Sequence, residues 1–452
     1  MRGFAVGASA RFGSVDGRTL AAAAVVSAIA LGGSYPPRAV AALPSQVFTP
    51  VADGYVSADA PTASYGRAQA LQLRADPRSR AYLRFHVGGL RGGVGSADLR
   101  VLVTSGRASV QVRAITRGRW SERTLRLRTA PALGRVVARG SARRGWTSFD
   151  VSSAMRGPGA VQLALVATRG SVSIASRETP SRPRLRLGIA PLVLAAGDIA
   201  SCRSGGDEAT AALLAGVPAT IAALGDLAYP RGTADEVADC YDPSWGIFRA
   251  RTRPAAGNHD YATPGAAPYF DYWATLAGLP GAGYYSYELG GWHVVVLNSN
   301  CRFVACHPGS AQETWLRSDL AQHRTRCTLA YFHHPLFSST AGTATTAVQP
   351  LWQDLYKAGA DVVLNGHAHN YQRFAPQAPL GAADPKRGIR EFVVGTGGVS
   401  HHLLGPPLAN QENMDDTSFG VLRLMLLETA YVWEFEPSEG GVFTDSGTGE
   451  CH

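Results

Sequence analysis

Residues 361–369, DVVLNGHAH, carry a short apolar run straight into a glycine and two histidines at alternate positions. Such runs, stopping at a glycine or at a residue able to bind a metal, recur through the second half of the chain. The others are LVLAAGD at 192–198, ATIAALGDLAY at 219–229, GNHD at 257–260, TLAYFHHP at 328–335 and EFVVGTGG at 391–398. Continuous apolar runs of this length read as buried strands. Strands that deliver Asp, Asn, Tyr and His to one sheet edge make a site for two metal ions, which points to phosphoester hydrolysis.

Helical stretches alternate with these strands. Asp207 to Ala215 reads as one helix, and a second opens at Ser310 with Glu313 in a capping-box pattern. A third covers 347–358 and feeds the strand at 361–364. The order strand, polar loop, helix, strand is α/β, with the polar residues at the carboxyl ends of strands. Past Gly420, VLRLMLL and YVWEFEP return to strand character and complete a second sheet. Before Leu187 the pattern is different. RAYLRFHV (80–87), SVQVRAI (109–115) and VQLALVA (161–167) are short alternating runs between Gly, Ser and Pro clusters, which suits an all-β sandwich or jelly roll. The expected organisation is a signal peptide at 1–41, a β-sandwich at 46–188 and an α/β domain at 190–452, with almost no linker at 188–191.

At 452 residues the chain is too long for one ordinary core, and its 45% hydrophobic content excludes wholesale disorder. The formal charge of +9 is almost all arginine, since Lys357 and Lys386 are the only lysines. No basic block stands out, so no nucleic-acid partner is expected, only mild attraction for anionic substrates. Arg2, Arg11 and Arg18 precede an apolar stretch from Leu20 to Leu31, and Ala39-Val40-Ala41 offers a cleavage site. That reads as an export signal, too short for a ready membrane span, with a retained anchor as the alternative, so the mature chain is expected to be secreted or extracytoplasmic. Six cysteines (202, 240, 301, 306, 327 and 451), an even number without a C-x-x-C pair, favour disulfides. Fifteen pairings are open, among them 301 with 306, which would close a tight loop, 327 with 451, and 202 with 240.

Two resemblances add to this reading. The first segment resembles DNRLRE-type carbohydrate-binding modules through ADGYVSADAPTASYG (52–66), RAYLRFHV, WSERTLRLRTAPALG (120–134), WTSFDVSSAM (146–155) and SRETPSRPRLRL (176–187). The resemblance implies a polysaccharide or cell-wall partner, with Tyr55, Tyr65, Trp120 and Trp146 as aromatics for stacking on sugars. From Leu194 to Cys451, including YYSYELGGWHVVVLNSNC (284–301) and TDSGTGEC (444–451), the chain resembles the calcineurin-like metallophosphoesterases. It looks most like small bacterial members of their purple acid phosphatase branch.

Carried over residue by residue, that second resemblance gives Asp198 to the first metal and makes Asp226 the bridge. Asn258, His333 and His367 fall to the second metal, and His369 to the first. Many relatives have Asp-x-His in the first motif. Here that position is Ala200, and the resemblance puts a Tyr229 phenolate in the vacancy. The implied cofactor is Fe(III) paired with Fe(II), Zn(II) or Mn(II), because a phenolate suits a hard trivalent cation. The implied reaction is hydrolysis of a phosphate monoester by a metal-bound hydroxide, with His259 passing the proton and Asn258, His259 and His334 facing substrate. Alternatives are a phosphodiesterase on the same core, or a vestigial protein that only binds cell wall or polysaccharide.

Overall fold

The computed structural model describes residues 44–452 apart from Thr116, Arg117, Arg119 and Arg156. The export-signal reading at 1–41 lies outside the described residues. No helix among the described residues is long and apolar enough to cross a membrane.

The first segment is all-β, as expected, but its strands are longer than the runs in the sequence. Gly93–Ala114 spans 22 residues and Gly159–Ala175 spans 17. The Ser105-Gly106 pair, which reads as a breaker, is carried through as a bulge, with the register shifting between Val103 and Arg107 and Gly106 at φ 82°. Because Gly93–Ala114 is so long, its first half pairs with Arg184–Ala190 and its second half with Gly159–Ala175, while Val136–Asp150 runs along most of its length. Eight strands therefore hydrogen-bond as one network. Every second side chain turns inward, and Leu83, Phe85, Leu99, Val101, Val112 and Leu165 meet in one core.

Beyond Pro191 two sheets face each other. The first has six strands in the order Thr252–Pro254, Thr220–Ala223, Leu192–Ala196, Gly420–Leu426, Ala430–Pro437 and Asp445–Glu450. Its first three are parallel, and the late strand Gly420–Leu426 returns antiparallel beside Leu192–Ala196. The second has seven, in the order Tyr285–Leu289, Trp292–Val296, Cys327–Tyr331, Val362–Asn365, Arg390–Val394, Tyr371–Phe374 and Gln411–Asp415. Period-two alternation sorts its side chains. Val294, Val296, Leu329, Tyr331, Val362 and Leu364 point into the core shared with the first sheet. Val295, Leu297, Ala330, Phe332 and Val363 point instead to Leu316, Leu320, Leu351, Trp352 and Leu355. Those last residues belong to the helices Ala311–Gln322 and Gln349–Ala358.

The capping box at Ser310 is only half formed. Ser310 accepts from the Glu313 N–H at 3.3 Å, but the Glu313 carboxylate takes the Gly309 N–H at 2.9 Å instead of closing back on Ser310. Disulfides join Cys202 to Cys240, Cys301 to Cys306 and Cys327 to Cys451, which resolves the fifteen open pairings.

Candidate metal centre

Parallel pairing aligns the carboxyl ends of the strands, and the polar residues of the apolar runs gather there. Asp198 follows Leu192–Ala196, Asp226 follows Thr220–Ala223 and Asn258 follows Thr252–Pro254 in one sheet. His333 follows Cys327–Tyr331, and His367 and His369 follow Val362–Asn365, in the other. The turns are tight enough that Asp198, Asp226 and His367 adopt left-handed φ of 60°, 53° and 68°. Asp and His tolerate that region better than branched residues, at a cost of about 1–2 kcal/mol each. Glycines make room beside them: a Cβ on Gly257 would lie 2.1 Å from Asp226 Oδ1, and one on Gly366 or Gly395 would lie 2.7 or 2.8 Å from Asp198 Oδ2.

The hydroxyl of Tyr229 lies 2.8 Å from Asp198 Oδ1, 2.9 Å from Asp226 Oδ2 and 3.1 Å from His369 Nε2. His369 Nε2 is in turn 3.2 Å from Asp198 Oδ1. Donors about 2 Å from a common centre sit about 3 Å apart, so these four atoms have the spacing of one coordination shell. On the far side of Asp226, His333 Nε2 is 3.1 Å from Asp226 Oδ2 and 3.1 Å from Asn258 Oδ1. Donor atoms of His333, His334 and His367 also fall within 4.8 Å of one another. Asp226 thus stands between two groups of donors. His333 Nδ1 donates to the Leu224 carbonyl at 2.8 Å, which leaves Nε2 with a free lone pair when the ring is neutral.

Electrostatically this pocket wants cations. Burial and the two adjacent carboxylates hold the Tyr229 phenol well above the ordinary tyrosine range. It keeps its proton unless a cation takes its place. Burial would raise Asp198 and Asp226, but His369 beside the first and His333 beside the second pull both below the usual carboxylate range. Burial alone would lower His333, yet the Asp226 carboxylate raises it to about 9. Burial and the neighbouring His333 push His334 down to about 2 and His367 to about 4. A fully buried pair of carboxylates balanced only by a protonated histidine, with a phenol wedged between, fits two metal ions in donor type and spacing.

His259 sits at the rim, about one third exposed, with Nδ1 donating to the Pro230 carbonyl at 2.6 Å and Nε2 4.0 Å from Asp226 Oδ2. The Ser299 hydroxyl accepts from the His334 N–H at 2.9 Å and lies 2.9 Å from His334 Nδ1.

Some contributors carry no motif of their own. Buried Asp260 accepts from the backbone N–H groups of Gly257 at 2.7 Å and Asp226 at 3.1 Å, tying two of the turns together. His402 stacks face to face on His369 at 3.7 Å and accepts its backbone N–H at 3.2 Å, while the Ser400 hydroxyl lies 2.7 Å from His369 Nδ1. Asp260 closes the GNHD run and His402 follows GTGG, but the sequence reading gives neither a role at the site. GTGG itself packs against the Asp198 turn, with Gly397 donating to the Gly197 carbonyl at 2.9 Å. In the first segment Trp120 is a core residue at 5% exposure and Tyr55 stacks on Tyr65 at 4.3 Å, whereas Trp146 is 41% exposed.

Residues 44–188 match the model of carbohydrate-binding module family 96, and residues 191–371 match that of the calcineurin-like phosphoesterases. The chain is 29% identical over 232 residues to purple acid phosphatase 21 of Arabidopsis thaliana, covering 45% of this chain and 50% of that protein. It is also 29% identical over 178 residues to the probable purple acid phosphatase 20 of the same plant, covering 33% and 39%. It spans half the length of these curated relatives or less. Purple acid phosphatase PPD1 from yellow lupin (Lupinus luteus) superposes with a TM-score of 0.48 at 15% identity, over 85% of this chain and 74% of that one.

Proposed function

We propose, from the membership of residues 191–371 in the calcineurin-like phosphoesterases, that this protein hydrolyses phosphate monoesters with two metal ions. Asp198, Asp226, Tyr229 and His369 would hold the first ion, and Asp226, Asn258, His333 and His367 the second. The observation that carries the reading is the Tyr229 hydroxyl within 3.1 Å of Asp198, Asp226 and His369. When bound, the ions supply Lewis-acid stabilisation of phosphoryl charge and acidify water at neutral pH. A phenolate donor favours Fe(III) at the first position.

The chain's own residues do the rest. The Ser299 hydroxyl accepts from the His334 backbone N–H and lies 2.9 Å from Nδ1; in the tautomer where it donates to Nδ1, the ring proton is on Nε2 and can be donated to a substrate oxygen. His259 is anchored through Nδ1 to Pro230, so its Nε2 is the atom able to pass a proton to the leaving alkoxide. Asn258 orients substrate from the same turn. Three disulfides suit an oxidising, extracytoplasmic location. Trp146, 41% exposed, is the aromatic we assign to a polysaccharide; the Arg100 and Arg184 guanidinium groups lie 5.5 and 5.2 Å from its ring.

Metal analysis and phosphate release from an aryl phosphate, run beside the matching bis-aryl diester, test the reading together. Two metals per chain and faster monoester cleavage are expected. Purified protein with no metal and no phosphate release would sink it, and faster diester cleavage would move it to a phosphodiesterase.

A further inference from the structure

A second histidine cluster lies at the opposite end of the second sheet. His293 pairs in register with Thr328, five residues before His333. At about 3.3 Å per residue that is about 17 Å from the candidate metal centre. Alternation along Trp292–Val296 turns His293 to the helix side, toward the end of Ala311–Gln322 and its C-cap His323.

There His293 Nε2 lies 2.7 Å from Asp319 Oδ2. His323 Nδ1 donates to the Asp319 carbonyl at 2.9 Å, a bond that metal binding through Nδ1 would replace, and lies 3.2 Å from Asp319 Oδ1. One donor atom from each of the three residues falls within 4.8 Å of the others, and the two rings stack at 4.5 Å. The Ser286 hydroxyl fixes the carboxylate by donating to Asp319 Oδ1 at 2.7 Å. The His293 side chain is 1% exposed, and its Nδ1 is buried without a hydrogen-bond partner, 3.6 Å from Glu288 Oε1. An unpartnered ring nitrogen in a dry site is costly, and the three-residue cluster as it stands leaves it unexplained.

We propose that His293, Asp319 and His323 form a further cation site, separate from the centre above, for a borderline divalent ion such as Zn2+. Coordination by His293 Nε2 displaces the proton now shared with Asp319. The ring proton then sits on Nδ1 and faces Glu288, the outer carboxylate that metal-bound histidines commonly use. Two imidazoles and one carboxylate suit Zn2+, Co2+ or Ni2+ better than Mg2+ or Ca2+, which take oxygen ligands. His323 is 40% exposed and lines an open cavity of about 470 Å3 with Arg324, Thr328 and Asp354. The cavity gives the ion a route in and leaves a coordination position for water. Of its three cationic neighbours, Arg317 and Lys357 are paired with Glu313 at 3.7 Å and Asp354 at 3.1 Å, and Arg324 has no ion pair among the described residues. The bound ion would clip the helix end to the Tyr285–Val296 hairpin.

Native mass spectrometry of the full chain and of His323→Ala, loaded side by side with Zn2+ and desalted, tests the proposal. His323 is solvent-facing, so the variant is expected to fold and to hydrolyse phosphate esters like the parent. The expected result is one zinc fewer in His323→Ala, together with a smaller zinc-induced rise in melting temperature than the parent shows, since the centre at Asp226 still binds zinc. Equal zinc counts in the two proteins, or a zinc-induced melting shift that His323→Ala keeps in full, would overturn it.

Discussion

The Tyr229 hydroxyl is held by three neighbours that are themselves candidate ligands. Tyr229→Phe is therefore expected to lose the first metal preferentially, with at least tenfold weaker retention against a chelator and loss of any visible charge-transfer band. Absorption spectra beside metal analysis check this. His333 carries a pH dependence of its own. Its pKa is raised to about 9 by Asp226 from an ordinary value near 6.5. In the metal-free chain its contribution to stability is complete below about pH 6.5 and is lost as pH rises through about 9. Thermal melts after chelation should accordingly show a falling melting temperature between pH 7 and 9. Metal uptake needs the neutral ring, so it should strengthen over the same interval. Asp198, Asp226 and the histidines were legible in the sequence because each ends an apolar run. Asp260 closes the GNHD run and His402 follows GTGG, yet their roles were not legible, because they act through a backbone N–H and a ring face, contacts that leave no spacing pattern.

Strand ends place the candidate ligands, so changes in the turns should act through placement rather than chemistry. Gly257→Ala would put a Cβ 2.1 Å from Asp226 Oδ1 and 2.4 Å from its backbone nitrogen. It is expected to cost about 1–3 kcal/mol and to lower metal content well below the parent's, measured by urea unfolding and metal analysis. Cys327–Cys451 spans 124 residues and ties an internal strand to the chain's end. Cys451→Ser should lose roughly 2–4 kcal/mol in the same unfolding assay. Parallel strands of the second segment were easy to read because both faces are buried. Those of the first were read too short, since a bulge at Ser105-Gly106 lets one strand pass through residues that otherwise mark a turn.

Between Arg184–Ala190 and Leu192–Ala196 only Pro191 intervenes. A Cβ on Gly93 would lie 2.6 Å from Met425 Sδ, so the two segments meet closely there. The described residues from 44 onward form one compact unit. Calorimetry is expected to give a single unfolding transition. Inserting a Gly-Ser linker after Ala190 should split it in two, and a parent that already unfolds in two steps would refute this. The change of pattern near residue 188 is what the sequence offers for a boundary, whereas the tightness of the junction depends on which side chains meet across it.

The left-handed backbone at Asp198, Asp226 and His367 couples the shape of the turns to the side chains they carry. Glycine would relieve the conformational cost at each position. At Asp198 and Asp226 it would also remove the carboxylates that accept the His367 and His259 backbone N–H groups at 2.8 and 2.7 Å. Each aspartate corner is thus latched to a neighbouring turn by the same carboxylate that stands ready for a cation.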